Sequence, residues 1–533
     1  MDCRALLPHQ LPHTPKLYRD YVEHFKKVEA FFEHQPDLKS VVRYAKNLEF
    51  PADRRSRVAD ILRAQNTLFG SPAATHKNLD RLAAGAVAVV SGQQVGLFGG
   101  PAYAFYKALS AIRTAEELTE KGIDAVPVFW MATEDHDVDE VRHVAWFHEG
   151  ELQEFVLPKP HEEAVPVGRV LLGREVDELV VRAQPLLGET FGNMLHETYT
   201  ADASYGRAFA GLFARIFVDY GLILLDPLDE ALHHVAAPIL RDALIHRDEL
   251  NELLLRRGKE IENAGYEPQV KVTAQSTVLF SLENGKRQVI AASNGEFASG
   301  GLKLPRQEWY ANVQASPELF SPNALFRPVV QDFLLPTVAY FGGPAEITYY
   351  AQSQVLYKKL LGRMPVLFPR ADFTLVDPKA ERILKKYELD VEDVWEGSQN
   401  LRNRMYNSAV PKKLAHDFDD ALEHVEKSIK KLHKAIAKVD PTIQGTIARA
   451  EKRIRYQVEK LRHKTGAALD RHEKLIEKHQ SFLENLLFPQ KGLQARDLCF
   501  LPFLARWGSG GLEELKEFAG PKQAGQHLIV GIP

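Results

Sequence analysis

Ala86-Val87-Ala88-Val89-Val90-Ser91-Gly92-Gln93-Gln94-Val95-Gly96-Leu97-Phe98-Gly99-Gly100-Pro101 is the stretch that decides the fold. Its first five residues form a short apolar run, the mark of a strand buried on both faces. A glycine-rich loop follows. Pro101 suits a first helical turn, where its missing N–H is not needed. A helix is then predicted from about Ala102 to Glu120, with Phe105, Leu109 and Ile112 on one face and Gly122 as its stop. The next apolar run, Ala125-Val126-Pro127-Val128-Phe129-Trp130-Met131, reads as a second strand. Strand, loop, helix, strand is a βαβ unit, which implies a parallel sheet covered by helices.

The alternation continues on both sides. Residues 1 to about 84 read as helical, with Tyr18, Tyr21, Val22, Phe25, Val28 and Phe31 at helical spacing. Downstream, Phe209, Leu212, Phe213, Ile216 and Phe217 form a helical stripe ahead of a strand at Leu222-Ile223-Leu224-Leu225. A further strand at Thr337-Val338-Ala339-Tyr340-Phe341 leads into a Gly-Gly-Pro loop, a helix to about Leu361 and a strand at Pro365-Val366-Leu367-Phe368. The fold class is therefore α/β, a doubly wound parallel sheet. Two stretches break the pattern, near 142–200 and 265–320, and read as insertions. The second is an antiparallel meander, because Asn284-Gly285 and Asn294-Gly295 are hairpin signals.

From about 378 the periodicity changes. Leu422, Val425, Ile429, Leu432, Ile436 and Val439 alternate spacings of three and four, a heptad seam. Asp440-Pro441 marks a turn. Beyond it Ile447, Ile454, Leu461, Ala468, Leu475 and Phe482 fall seven apart, up to Pro489. Two long antiparallel helices forming a coiled coil are expected. A helical hairpin rarely covers both of its apolar faces, so a homodimer is expected as well. The expected domains are 1–377, 378–489 and a C-terminal segment 490–533 returning to the core.

Composition bounds the function. The chain has 533 residues, 45% hydrophobic and 26% charged, with net charge −4. That is ordinary for a soluble globular protein of several domains. The slight acidity argues against a dedicated nucleic-acid partner. No apolar run approaches the ~18 residues that span a bilayer, so no membrane partner is expected. The N-terminus has no apolar signal region, and two cysteines, Cys3 and Cys499, make no disulfide framework. A cytoplasmic location follows.

Four loops carry candidate chemistry. In 91–101, Gly92, Gly96, Gly99 and Gly100 could bring backbone amides to an anion or phosphate at a helix N-terminus, with Gln93 and Gln94 binding a polar substrate. Neither the dinucleotide fingerprint nor the Walker spacing is present, and a tight packing turn is the competing explanation. Phe98-Gly99-Gly100-Pro101-Ala102 recurs as Phe341-Gly342-Gly343-Pro344-Ala345. Both copies follow a strand, so the two loops are expected to wall one pocket at the carboxyl edge of the sheet. After the second strand come Thr133-Glu134-Asp135-His136-Asp137-Val138-Asp139-Glu140. Its clustered carboxylates favour an amine, sugar hydroxyls or a metal over an acidic group. Asp135 and His136 are the candidate catalytic bases, with Thr133, Glu134 and Asp139 as binding residues. No metal is expected, since zinc spacings are absent. Arg327, Tyr340, Gly342, Gly343, Glu346 and Tyr349 complete the set. Arg327 is a candidate carboxylate clamp or a structural ion pair, and Glu346 could simply complement its helix dipole.

These motifs in combination, from Ser91-Gly92-Gln93-Gln94 through Thr133-Glu134-Asp135-His136-Asp137 to Phe341-Gly342-Gly343-Pro344-Ala345-Glu346 and the coiled coil, resemble the bacillithiol biosynthesis cysteine-adding enzyme family over essentially the whole chain. The resemblance implies a Rossmann-like core with connecting-peptide insertions and a coiled coil used as a dimer interface. It implies a cysteine ligase that adds cysteine to the amine of glucosaminyl-malate, the last step of bacillithiol synthesis. Amide formation needs an activated carboxyl, most simply through ATP. The His-x-Gly-His and Lys-Met-Ser-Lys signatures of class I synthetases are missing, which leaves the place of ATP open. A metal-dependent sugar amide hydrolase and a non-catalytic scaffold are the rival classes.

Overall fold

In the computed structural model, which describes residues 3–160, 164–293, 295–436, 444–469, 474–508 and 510–533, five strands form the central sheet. They are β1 (Val87–Gln93), β2 (Ala125–Met131), β3 (Ile223–Leu225), β4 (Thr337–Gly342) and β5 (Val366–Pro369). Their order is β5-β4-β1-β2-β3, and every neighbouring pair is parallel. The chain winds outward from β1 through β2 to β3, then returns to the other side for β4 and β5. The order reverses between β1 and β4, and a crevice opens at that switch point in folds of this kind. The expected doubly wound Rossmann-like sheet is what forms.

Burial explains why these apolar runs became strands. Val126, Val128 and Trp130 of β2 turn to one core, while Phe129 and Met131 turn to the other. That two-residue alternation, apolar on both sides, requires a layer of helices on each face. α1 (Ala102–Glu120) follows β1 and packs Phe105 on Phe213, with ring centroids 5.0 Å apart. α2 (Pro344–Leu360) follows β4 on the opposite face, where Tyr350 lies 5.1 Å from Tyr340.

Between β2 and β3 the chain inserts an antiparallel pair, His143–His148 with Glu151–Val156, and the helix Glu175–Thr198. Between β3 and β4 it inserts four α-helices, counted over the described residues, and a five-stranded antiparallel sheet, closed by Phe320–Pro322 against Ser276–Glu283. The Asn284-Gly285 hairpin forms with both residues at positive φ, 50° and 76°, as its turn type requires. Asn294 lies outside the described residues.

One sheet has no counterpart in the sequence reading. Cys3–Leu6 pairs with His527–Gly531, which pairs with Asp372–Val376. The helical reading of the first 84 residues misses this strand. Four residues, three of them exposed, carry no periodicity, and their partner lies at the far end of the chain.

α3 (Lys412–Ile436) and α4 (Gln444–Leu469) form the arm. Arg455 pairs with Glu426, and Arg462 with Asp419. Seven residues forward on α4 are thus seven residues back on α3, which makes the helices antiparallel. Val439 and the Asp440-Pro441 turn lie outside the described residues. The seam is not one continuous second helix. Lys474 is left-handed (φ 46°), and a separate helix, Leu475–Leu487, starts there and packs on the body, Phe482 against Phe147 at 5.2 Å. Beyond it, Phe500 packs on Phe105 at 5.4 Å. No described helix is long and apolar enough to cross a membrane.

Candidate functional site

A cavity of about 630 Å³ opens over the carboxyl ends of β1 and β4. On β1 it is lined by Gly92 and Gln93, with Gln94 just beyond. Gly92 has to be glycine, because a Cβ there would lie 2.5 Å from the Trp130 carbonyl oxygen on β2.

The two sides of the crevice are tied together by a buried ion pair. Lys107 of α1, its side chain 3% exposed, reaches Glu346 of α2. Lys107 Nζ also donates to the Gly92 carbonyl at 2.7 Å and to Gln93 Oε1 at 2.9 Å. Glu346 accepts from the Tyr340 hydroxyl at 2.6 Å and from the Gly343 amide at 2.7 Å. Burial alone would raise the Glu346 carboxyl, but Lys107 and these hydrogen bonds hold it below the usual carboxylate range. Burial pulls Lys107 down, partly offset by Glu346. Each is the other's counter-charge in the crevice.

Further cations join the lining. Arg327 donates to Gln331 Oε1 at 3.0 Å and lies 3.3 Å from the hydroxyls of Tyr340 and Tyr349. Among the described residues it forms no ion pair with a carboxylate. A phenol and amide surround without a counter-charge is a setting a ligand carboxylate would complete. Arg287 enters from the antiparallel insertion, lies 4.1 Å over the Phe280 ring, and donates to Ser321 Oγ at 3.0 Å and the Pro322 carbonyl at 2.6 Å. Arg370 follows β5 and is held by Asp372 at 2.6 Å, which His527 of the terminal strand contacts at 2.8 Å.

The acidic loop splits by environment. Glu134 lines the cavity with its side chain 8% exposed. Burial pushes its carboxyl up to about 8, against the pull of Arg287 and with Asp226 adding to the rise. Asp135 also lines the cavity and accepts from Gln94 Nε2 at 2.8 Å. His136 does not line the cavity and is 42% exposed, with Nδ1 3.5 Å from an Arg287 nitrogen. Thr133 turns away and donates to Asp226 in the core. Asp139 is outside the cavity, on the surface, paired with Arg142 at 2.7 Å and Lys159 at 3.0 Å.

The repeated pentapeptide does not make two matching walls. Gly343 lines the cavity, and Gly342 sits just behind it, its carbonyl accepting the Arg370 amide at 2.9 Å. Gly96, Gly99 and Gly100 are buried behind the cavity and do not form an open anion cradle. The Gly99 amide donates to the Tyr199 hydroxyl at 3.0 Å, and the Ala102 amide to the Leu498 carbonyl at 2.8 Å. The α1 N-terminus is thereby closed by the C-terminal segment. Of the expected anion loop, Gly92 alone faces the cavity.

The sequence reading passed over Lys107, Arg287, Arg370 and Arg496, all of which line the cavity. Lys107 could have been found, as the one charge in the otherwise apolar Tyr103-Ala104-Phe105-Tyr106-Lys107-Ala108-Leu109. Arg370 stands just past a strand end, where ligands gather. Arg287 and Arg496 carry no local mark; only the tertiary fold brings them in. No three His, Cys, Asp or Glu side chains among the described residues gather as a metal-binding group.

The chain matches two family models. Residues 1–371 match "Bacillithiol biosynthesis BshC, N-terminal Rossmann-like domain", and residues 373–532 match "Bacillithiol biosynthesis BshC, C-terminal coiled-coil domain". It is 40% identical to a protein of Koribacter versatilis, over 97% of this chain and 98% of that one. Identity to a protein of Solibacter usitatus is 37%, over 95% and 96%. Identity to one of Geobacillus thermodenitrificans is 29%, over 98% and 99%. All three carry the name "Putative cysteine ligase BshC".

Proposed function

The chain belongs to the bacillithiol biosynthesis BshC family, and from that premise we propose that it is a ligase joining the carboxyl of cysteine to the amine of glucosaminyl-malate. The product is an amide, bacillithiol, and the step is the last of the pathway. The observation that carries this reading is the mixed character of the cavity. Arg327 offers a positive charge with no carboxylate ion pair among the described residues, beside Arg287, which Asp135 pairs at 3.8 Å, and the carboxyl of Glu134. Glucosaminyl-malate carries carboxylates at one end and an amine at the other, with sugar hydroxyls between. A bidentate guanidinium suits the first, and a carboxyl suits the second.

A carboxylate does not form an amide at neutral pH without activation, so ATP is the proposed co-substrate. The glycines 96, 99 and 100 have no role in this proposal, because their loop is turned inward and its amides at Gly99 and Ala102 are engaged. We assign the reaction to the cytoplasm, which the two free cysteines, Cys3 and Cys499, suit.

The arm supports the homodimer. Leu432, Ile454 and Leu461 are 57%, 43% and 58% exposed on the seam, and a second copy would cover them. Charge substitutions Ile454→Glu and Leu461→Glu should convert a dimer to a monomer in light scattering. A species whose mass the substitutions leave unchanged would contradict the assignment.

The direct test of function is mass-spectrometric detection of bacillithiol from cysteine, glucosaminyl-malate and cell extract, with and without ATP. Product that depends on the protein is expected. Acceptor left unconsumed in every mixture would overturn the reading.

A further inference from the structure

Three side chains on one loop compete for the role of base, and their surroundings separate them. Asp135 is already engaged: one carboxyl oxygen accepts from Gln94 at 2.8 Å and the other from the His136 amide at 2.7 Å. His136 is 42% exposed and does not line the cavity, its Nδ1 lying 3.6 Å from Asp135 and 3.5 Å from an Arg287 nitrogen. Glu134 is the exception. Its side chain is 8% exposed, lines the cavity, and accepts no hydrogen bond from any described residue.

We infer that Glu134, rather than Asp135 or His136, takes the proton from the acceptor amine. This rests on the ligase reading above. The charged neighbours of Glu134 pull in both directions, the arginines lowering and the carboxylates raising its proton affinity. Arg287 and Arg327 face Glu134 from the insertion and from helix Arg327–Leu334, and Asp135 and Asp226 face it from its own loop and the end of β3. His233, on helix Glu230–Ile245, holds Nε2 3.7 Å from Glu134 Oε1, while its Nδ1 lies 3.1 Å from the Pro317 carbonyl. Burial lowers the His233 pKa, which favours a neutral imidazole beside the carboxyl.

The chemistry requires this kind of carboxyl. A carboxylate in water, with an acid pKa near ~4, pairs with an ammonium and leaves the proton on nitrogen. A dry carboxyl raised toward the basicity of an amine can take that proton at little cost. The ammonium nitrogen loses one proton to the Glu134 carboxylate. Its freed lone pair forms the C–N bond to the carbonyl carbon of cysteine activated as an acyl phosphate or acyl adenylate. The C–O bond to phosphorus breaks, and the phosphate leaves with the electron pair and the second nitrogen proton.

The test compares wild type with Glu134→Gln, Glu134→Asp and Asp135→Asn in the bacillithiol assay, alongside acceptor binding by calorimetry and thermal melting. Glu134→Gln should lower turnover by ~10²–10⁴-fold while melting is kept and acceptor binding weakens far less than turnover. Glu134→Asp should retain part of the rate, with the acid limb of its pH profile displaced from the wild-type position. Asp135→Asn should lose less than ~10-fold, short of the general-base range. Product from wild type and equally from Glu134→Gln would overturn the inference and leave the ligase reading standing. No product from wild type would overturn the ligase reading, and the inference with it.

Discussion

Phe98-Gly99-Gly100-Pro101-Ala102 and Phe341-Gly342-Gly343-Pro344-Ala345 are the same five residues in two different backbones. In the second copy, β4 runs through Phe341 into Gly342, and Pro344 opens α2 at once. Gly343 is extended, with φ −75°, and its amide meets Glu346 at the cavity wall. In the first copy, β1 has already ended at Gln93, and four residues intervene. Phe98, Gly99 and Gly100 all take positive φ, at 52°, 88° and 70°. Phe98 is driven inward, among the rings of Trp146, Phe155 and Tyr199. The distance from strand end to motif decides which copy meets the ligand. One loop is a wall of the site, and the other is the packing behind it.

That contrast can be broken by substitution. The largest effect is expected at Glu346→Gln, which leaves Lys107 as a buried cation without its counter-charge. Removing one partner of a buried pair costs about 3–5 kcal/mol. Denaturant unfolding should show a loss in that range, and turnover should fall as well. A loss below ~1 kcal/mol, the range of an exposed pair, would mean the pair does not hold the crevice together.

A smaller loss, about 1–3 kcal/mol for enforced left-handed strain, is expected for Gly99→Ala. Its φ is +88°, and the new Cβ would stand 2.7 Å from Phe105 Cζ. Thermal melting should drop while turnover per folded molecule is kept. Lost turnover with unchanged melting would place the first loop in the site after all.

The smallest effect on stability belongs to the matched change in the other loop, Gly343→Ala. Its φ is unstrained, and the new Cβ would meet Glu346 Oε2 at 3.4 Å. Stability should move by less than ~0.5 kcal/mol, while acceptor affinity falls because the methyl enters the cavity. The reverse split, poorer folding with unaltered affinity, would erase the distinction between the loops.

The sheet was legible because its strands are apolar on both faces and alternate with amphipathic helices. The carboxyl-edge rule placed Gln93, Gln94, Asp135, Gly343 and Glu346 at the cavity from sequence alone, but it also placed Thr133, His136 and Gly342 there, and these do not line it. The rule could not say which side of a loop faces the ligand. Thr133 sits between residues of the site yet points into the core, and Asp139 is one helical turn past them on the surface. The identical pentapeptides misled for the same reason, since composition carries no φ. The cations from Arg287 and Arg496 were invisible because long-range packing, and no local pattern, delivers them.

The most direct test of the account is a crystal structure of the protein with glucosaminyl-malate bound. The account predicts the ligand over the ends of β1 and β4, with a malate carboxylate on Arg327 and the amine nitrogen within hydrogen-bond reach of Glu134. A ligand bound elsewhere, or seated there with its carboxylates away from Arg327 and its amine away from Glu134, would contradict it.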